Sequence, residues 1–267
     1  MIPYPFKYKR ATSVADAETS LKDSPDTKLL AGGQTLIAAM KMRLASPSEL
    51  IDISHLKELS YIRVSNDAVV IGAATTHFEV ADSPDVIKRI PALAHLASII
   101  GDPAVRHKGT LGGSVANNDP AADYPAAVLG LNATIKTNRR AIAADEFFTG
   151  MFSTALSSEE IISEVSFPIP KRASYKKFPN PASRYAMAGV FVAQTNSGVR
   201  VAVTGAGPCV FRVTAMETAL SQSFSAGALE GIIIGADGLN SDIHGSAEYR
   251  AHLVGVMARR AVATAAA

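Results

Sequence analysis

Two short segments of the 267-residue sequence combine glycine with hydroxyl side chains: Ala31-Gly32-Gly33-Gln34-Thr35 and Gly109-Thr110-Leu111-Gly112-Gly113-Ser114. Glycine lets a backbone take positive φ and approach a ligand closely. A helix starting just after such a bend offers free N–H groups and a positive dipole end to an anion. Two facing bends of this kind can hold both phosphates of a dinucleotide without a lysine. Each segment alone also reads as a tight turn without a ligand. Neither is a nucleotide fingerprint. The absence of G-x-x-x-x-G-K-[ST] argues against ATP hydrolysis. The absence of G-x-G-x-x-G after a strand argues against a Rossmann site. Gly205-Ala206-Gly207 comes nearest, but Pro208 follows and no helix opens there, so it reads as a strand end.

The remaining reactive side chains point away from acid–base or metal chemistry. Cys209 is the single cysteine, which excludes a disulfide framework and any zinc or iron–sulfur site built from this chain's thiolates. Redox chemistry here would therefore need an organic cofactor. His55, His95, His107, His244 and His252 are scattered, and His77, after Thr75-Thr76, could cap the next helix. No nucleophile–base pair and no metal-ligand spacing stands out, so no catalytic and no metal residue is assigned. Arg259 and Arg260 fall late in the final helix, where cations suit the dipole. With 26 basic and 24 acidic side chains the net charge is +2, which argues against a nucleic-acid partner. The N-terminus lacks a signal-peptide core and no apolar run suffices for a transmembrane segment. The expected location is cytoplasmic, free or at the inner face of the membrane.

The elements that must position the two bends follow from periodicity. Thr12 or Ser13 can cap a helix carrying Val14, Ala17 and Leu21, with a break at Ser24-Pro25. Lys28 to Ala31 reads as a strand running into Gly32, Thr35 to Ala45 as a helix, and Leu50 to Ile53 as a strand. Strand, helix, strand, helix, strand over some fifty residues makes a small α/β unit. Next, Tyr61–Val64 and Ala68–Ala73 flank the hairpin turn Ser65-Asn66-Asp67. Helical pattern covers Phe78–Ala81, Pro91–Ile99 (stopping at Gly101-Asp102-Pro103) and Ala121–Leu131; strands are expected at Ala133–Thr137 and Ile161–Phe167. Pro168, Pro170, Pro179 and Pro181 mark a domain boundary. Beyond it lie a hairpin, Gly189–Gln194 and Val199–Gly205, and two helices, Thr214–Gln222 and Ser246–Thr264. The class is α+β.

Both glycine segments, together with Asp119-Pro120-Ala121-Ala122-Asp123-Tyr124-Pro125, resemble the FAD-binding medium subunits of molybdenum hydroxylases, which include the aerobic carbon monoxide dehydrogenase and xanthine dehydrogenase groups. Phe147-Phe148-Thr149-Gly150, Asn180-Pro181-Ala182-Ser183-Arg184-Tyr185-Ala186 and Glu248-Tyr249-Arg250-Ala251-His252-Leu253 look like the same subunits, so the likeness spans essentially the whole chain in order.

The resemblance implies a two-subdomain FAD-binding domain of the vanillyl-alcohol-oxidase-like type at 1–170, divided at about residue 55. A C-terminal domain with a three-stranded antiparallel sheet and helices would follow at 171–267. It implies non-covalent FAD, with Ala31, Gly32, Gly33, Gln34, Thr35, Leu36 and Ile37 as the first pyrophosphate loop and Thr110, Gly112, Gly113 and Ser114 as the second. Ile100 matches an apolar residue at the adenine, Asp123 an acceptor for ribityl or ribose hydroxyls, Lys177 a lysine near the flavin carbonyls, and Tyr185 an aromatic beside the isoalloxazine. A large molybdenum-cofactor subunit and a small subunit with [2Fe-2S] clusters are the implied partners, in a dimer of heterotrimers. The implied function is electron transfer from those clusters through FAD to an external acceptor. A free-standing flavin reductase resembling the enolpyruvyl-sugar reductase, and a docking subunit without flavin, are the alternatives. The substrate meets another polypeptide and is not legible in this chain.

Overall fold

The computed structural model describes residues 2–24 and 26–267; Pro25, half of the expected break after the first helix, lies outside them. The first unit is a parallel sheet in order β1-β3-β2, formed by β1 (Lys7–Arg10), β2 (Thr27–Leu30) and β3 (Glu49–Asp52). Parallel neighbours need crossovers. Those here are α1 (Val14–Asp23), whose Ser13 cap accepts from the Asp16 amide, and α2 (Leu36–Lys41). Helix α2 is shorter than its apolar spacing suggests. Arg43 sits at φ 61°, a conformation that ends regular helix.

The second unit is a five-stranded antiparallel sheet with short helices. Its hairpin β4 (Ile62–Val64) and β5 (Ala68–Gly72) turns at 65–67 as the Asn-Asp signal implies. Four helices follow: α3 (His77–Asp82), held by a Thr76/Glu79 capping box, α4 (Pro84–Arg89), α5 (Pro91–Ser98) and α6 (Pro103–Arg106). Then come α7 (Leu111–Asn117), α8 (Tyr124–Gly130), β6 (Thr134–Thr137), β7 (Ala141–Ala143), α9 (Ala144–Phe147), the small ribbon β8 (Phe148–Gly150) and β9 (Ser153–Thr154), and β10 (Ile162–Pro168). Strand β10 closes the sheet between β5 and β6.

The third unit is antiparallel throughout. It has three long strands, β11 (Arg172–Pro179), β12 (Ala186–Thr195) and β13 (Gly198–Thr204), and a two-residue edge strand β14 (Phe211–Arg212) adds a fourth. Helices α10 (Thr214–Gln222) and α11 (Ala247–Ala266) cover one face. Strand β12 is buried on both sides, so alternate residues serve two cores. Phe191 and Ala193 join the core of the second unit, while Val190 and Val192 pack under α11 and α10. The apolar packing is therefore continuous from the second unit into the third.

Candidate functional site

A cleft of about 1070 Å³ runs between the first two units and reaches the third. That volume is at the top of the usual range for small-molecule sites. Its wall includes Ala31, Gly32, Gly33, Gln34, Thr35 and Leu36 from the first bend and Thr110, Gly112, Gly113 and Ser114 from the second. Ile100, Asp123 and Tyr185 complete the expected set on this surface. Ile37 and Lys177 stand behind it. Ile37 packs under Gly33, its Cγ1 3.1 Å from where a β-carbon would be.

The first bend leaves β2 at Leu30 and enters α2 at Leu36. Gly33 has φ 70°, which only glycine takes without strain. Among the described residues, no protein acceptor meets the N–H groups of Gly32, Gly33, Gln34 or Thr35. The Thr35 hydroxyl caps nothing. This bend therefore offers a row of unused donors to the cleft.

The second bend differs from its sequence reading. Gly112 and Gly113 lie inside the first turns of α7 rather than in an open loop, because the Thr110 hydroxyl caps that helix by accepting from the Gly113 amide. The other early amides are also committed: Leu111 donates to the Thr75 carbonyl, Gly112 to Ala73 and Ser114 to Thr110. Facing rows of main-chain donors are thus not what the two bends provide. The second supplies hydroxyls, from Thr110 and Ser114, and a surface without side chains. A β-carbon on Gly112 would lie 2.5 Å from that of Ala73. The bends do meet: a β-carbon on Gly32 would stand 2.0 Å from the Lys108 carbonyl oxygen.

Asp123 sits at the start of α8, 5% exposed, with both carboxylate oxygens engaged from the third unit. The Tyr175 hydroxyl donates to Oδ1 at 2.5 Å and the Lys177 ammonium to Oδ2 at 3.0 Å. Lys177 also donates to the Ile99 carbonyl, next to Ile100. Burial pushes the Asp123 carboxyl up, while the Lys177 ammonium and the Tyr175 hydroxyl pull it back. Burial and the same carboxylate hold the Tyr175 phenol well above its ordinary value. Tyr185 is 46% exposed at the rim, between this cleft and a smaller hollow of about 280 Å³.

Two groups at the cleft escaped the reading of the residues, one behind its wall and one on it. Tyr175 stands behind the wall, on Asp123, and is hidden in the sequence because the prolines around β11 read as a domain boundary. The sequence offers His77 as a possible cap of the next helix, but the cap is Thr76 and His77 is the first residue of α3, with its side chain buried on the cleft wall. The ring lies under Gly109, with Nε2 2.6 Å from where a β-carbon would be, and 5.3 Å from the Tyr124 ring. Burial, helped by the charge of Arg106, holds its pKa down at about 4, so it is neutral. No signal in spacing distinguishes such a histidine.

Residues 4–170 match the family described as the FAD binding domain in molybdopterin dehydrogenase, and residues 173–265 match the CO dehydrogenase flavoprotein C-terminal domain. The nicotine 6-hydroxylase medium subunit of Paenarthrobacter nicotinovorans is 38% identical, over 98% of this chain and 97% of that one. The carbon monoxide dehydrogenase medium chain of Hydrogenophaga pseudoflava is 34% identical, again over 98% and 97%. Among solved structures, reconstituted CO dehydrogenase from Oligotropha carboxidovorans superposes with a TM-score of 0.93 at 33% identity, covering 99% of each chain.

Proposed function

As the chain belongs to the FAD-binding medium subunits of the molybdenum hydroxylases, we propose that it is the electron outlet of such a complex. FAD, when bound, supplies the means to accept electrons one at a time from iron–sulfur clusters and to pass them to an external acceptor. The clusters would sit in a small partner subunit and the molybdenum cofactor in a large one, the assembly being a dimer of heterotrimers. The FAD-binding domain is residues 1–170, with subdomains meeting near residue 55, and residues 171–267 form the C-terminal domain.

The observation that carries this reading is the contact of the two bends at Gly32 across one wall of a dinucleotide-sized cleft. Unused N–H groups from Gly32 to Thr35 fit a diphosphate, and the hydroxyls of Thr110 and Ser114 fit its other side. A diphosphate would repel a carboxylate, so Asp123 meets hydroxyls instead, as an acceptor. Ile100 gives the adenine an apolar surface and Tyr185 gives the flavin ring a flat one. Ile37 supports the first bend from behind. Lys177 acts through Asp123 and through the carbonyl of Ile99. Nothing here requires this chain to supply a general acid or base.

The test is the chain purified with its co-expressed partners. Flavin that leaves the protein on acid precipitation, in one equivalent per chain, together with iron and molybdenum in the same particle, is the expected result. A colourless complex that takes up no FAD, or a flavoprotein that never associates with iron and molybdenum subunits, overturns the reading.

A further inference from the structure

The stretch from Pro120 to Asp123 puts Ala122 and Asp123 on the cleft wall and Pro120 and Ala121 on the smaller hollow, and the third unit holds every residue of it. The Gly205 amide donates to the Pro120 carbonyl at 2.8 Å, and the Ala186 amide donates to Ala121 at 3.4 Å. The Thr204 hydroxyl lies 2.6 Å from the Ala122 carbonyl oxygen. Tyr175 and Lys177 complete the series on the Asp123 carboxylate. Residues i and i+2 of a strand share a face, so β11 presents both donors together.

Tyr175 is 1% exposed, and its ring packs near that of Phe191 with centroids 6.2 Å apart. Packing alone does not explain its hydroxyl. Residue 189, opposite Lys177 on β12, is glycine, and a β-carbon there would stand 2.2 Å from the Tyr175 hydroxyl oxygen. The sheet is thus bare where that hydroxyl must pass to reach Asp123. Each carboxylate oxygen can accept two hydrogen bonds. One bond to each leaves every oxygen a further lone pair, on a residue that lines the cleft.

We propose that Tyr175 is a positioning residue of the FAD site, fixing the Asp123 carboxylate from the C-terminal sheet so that its free lone pairs meet the hydroxyls of the bound dinucleotide. The proposal rests on the FAD reading of the cleft. On this view the C-terminal domain completes the binding site, and cofactor affinity depends on its registry with α8.

The experiment is a double-mutant cycle on the purified complex, stripped of flavin and retitrated with FAD while free flavin fluorescence is followed. Wild type, Tyr175→Phe, Asp123→Asn and the double variant are compared, with melting of each flavin-free form as the folding control. Tyr175→Phe is expected to raise the FAD dissociation constant about tenfold, the effect of losing one hydrogen bond to a charged group. In the Asp123→Asn background the same change should do little, because interacting sites are not additive. Gly189→Ala reaches the same hydroxyl from the other side and should reproduce the pattern, which serves if Tyr175→Phe does not assemble. Unchanged affinity in Tyr175→Phe, or an equal loss in both backgrounds, overturns the proposal while leaving FAD binding intact. A wild-type complex that takes up no FAD overturns the FAD reading itself, and the wild-type titration tells the two failures apart.

Discussion

Gly32 and Gly109 touch backbone to backbone: a β-carbon on Gly32 would fall 2.7 Å from the Gly109 α-carbon and nearer still to the Lys108 carbonyl. A methyl group cannot be absorbed there, since both obstructing atoms are main chain. Gly32→Ala must therefore part the two bends. The expected cost is about 2–3 kcal/mol of stability, in the range of overpacked sites, together with loss of most bound flavin. Gly33→Ala meets only the side chains of Ile37 and Leu30, at 3.1 Å, but must hold φ 70°. It should cost about 1–2 kcal/mol and part the bends less. Flavin content and urea unfolding of the two variants side by side check this ordering.

The Asp123–Lys177 pair yields a second expectation. Both side chains are nearly inaccessible, at 5% and 3%. Removing one partner strands a buried charge, which typically costs about 3–5 kcal/mol, whereas replacing both with apolar or neutral groups costs much less. Lys177→Met should thus be more destabilising alone than in combination with Asp123→Asn. Denaturant midpoints of the two single variants and the double variant decide it. An equal shift of the midpoint by Lys177→Met in the wild-type and Asp123→Asn backgrounds would show that the pair is not coupled.

Arg250 ties the last helix to the sheet and to a loop at once. Its Nη1 donates to the carbonyls of Met187 and Gly205, and Nη2 to the Asp242 carboxylate at 2.7 Å. The residue is 5% exposed, so its loss strands two buried carbonyls. Arg250→Met is expected to cost about 3 kcal/mol. Arg250→Lys should recover little, since an ammonium lacks the planar fork that reaches three acceptors. Thermal melting is the measurement, with a drop of roughly 6–12 °C expected for a chain of this size.

Local signals explain which parts of the fold were legible in the sequence. Ser65-Asn66-Asp67 and Thr195-Asn196-Ser197-Gly198 encode their turns directly, and both hairpins lie where those residues put them. Strand β11 was obscured because Pro168 and Pro170 precede it and Pro179 ends it, a pattern shared by linkers and strand ends. Helix α6 was missed because Gly101-Asp102-Pro103 reads as a stop, whereas Asp102 caps the next helix with Pro103 in its first turn. At the site, glycines announced a close approach but not its partner. That Gly32 faces Lys108 and Gly109, and that α7 spends its first two amides on the loop after β5, are tertiary facts without a local signal. Tyr175 belongs with them, since nothing in its neighbourhood along the chain points to Asp123.

His77 gives the chain a pH dependence whose sign can be worked out. Burial holds its folded pKa at about 4, against about 6.5 in the unfolded chain. Between those values the unfolded state binds a proton that the folded state refuses, so stability falls as pH drops. The contribution is fully present above about pH 6.5, declines from there towards pH 4, and amounts to on the order of 3 kcal/mol across the window. Asp16 and Glu18, each lowered to about 2, contribute in the same direction but at lower pH, as their unfolded values near 4 are crossed. Between pH 6.5 and 5 His77 is joined by His95, also lowered by burial, while buried Asp123, raised by burial, acts in the opposite direction. In His77→Gln, which stays neutral throughout, the slope of unfolding free energy over that interval should become clearly shallower while the steeper loss below pH 4.5 remains. Urea unfolding at half-unit pH steps from 7 to 4 measures both slopes. An unchanged slope in the variant between pH 6.5 and 5 would rule out His77 as its source.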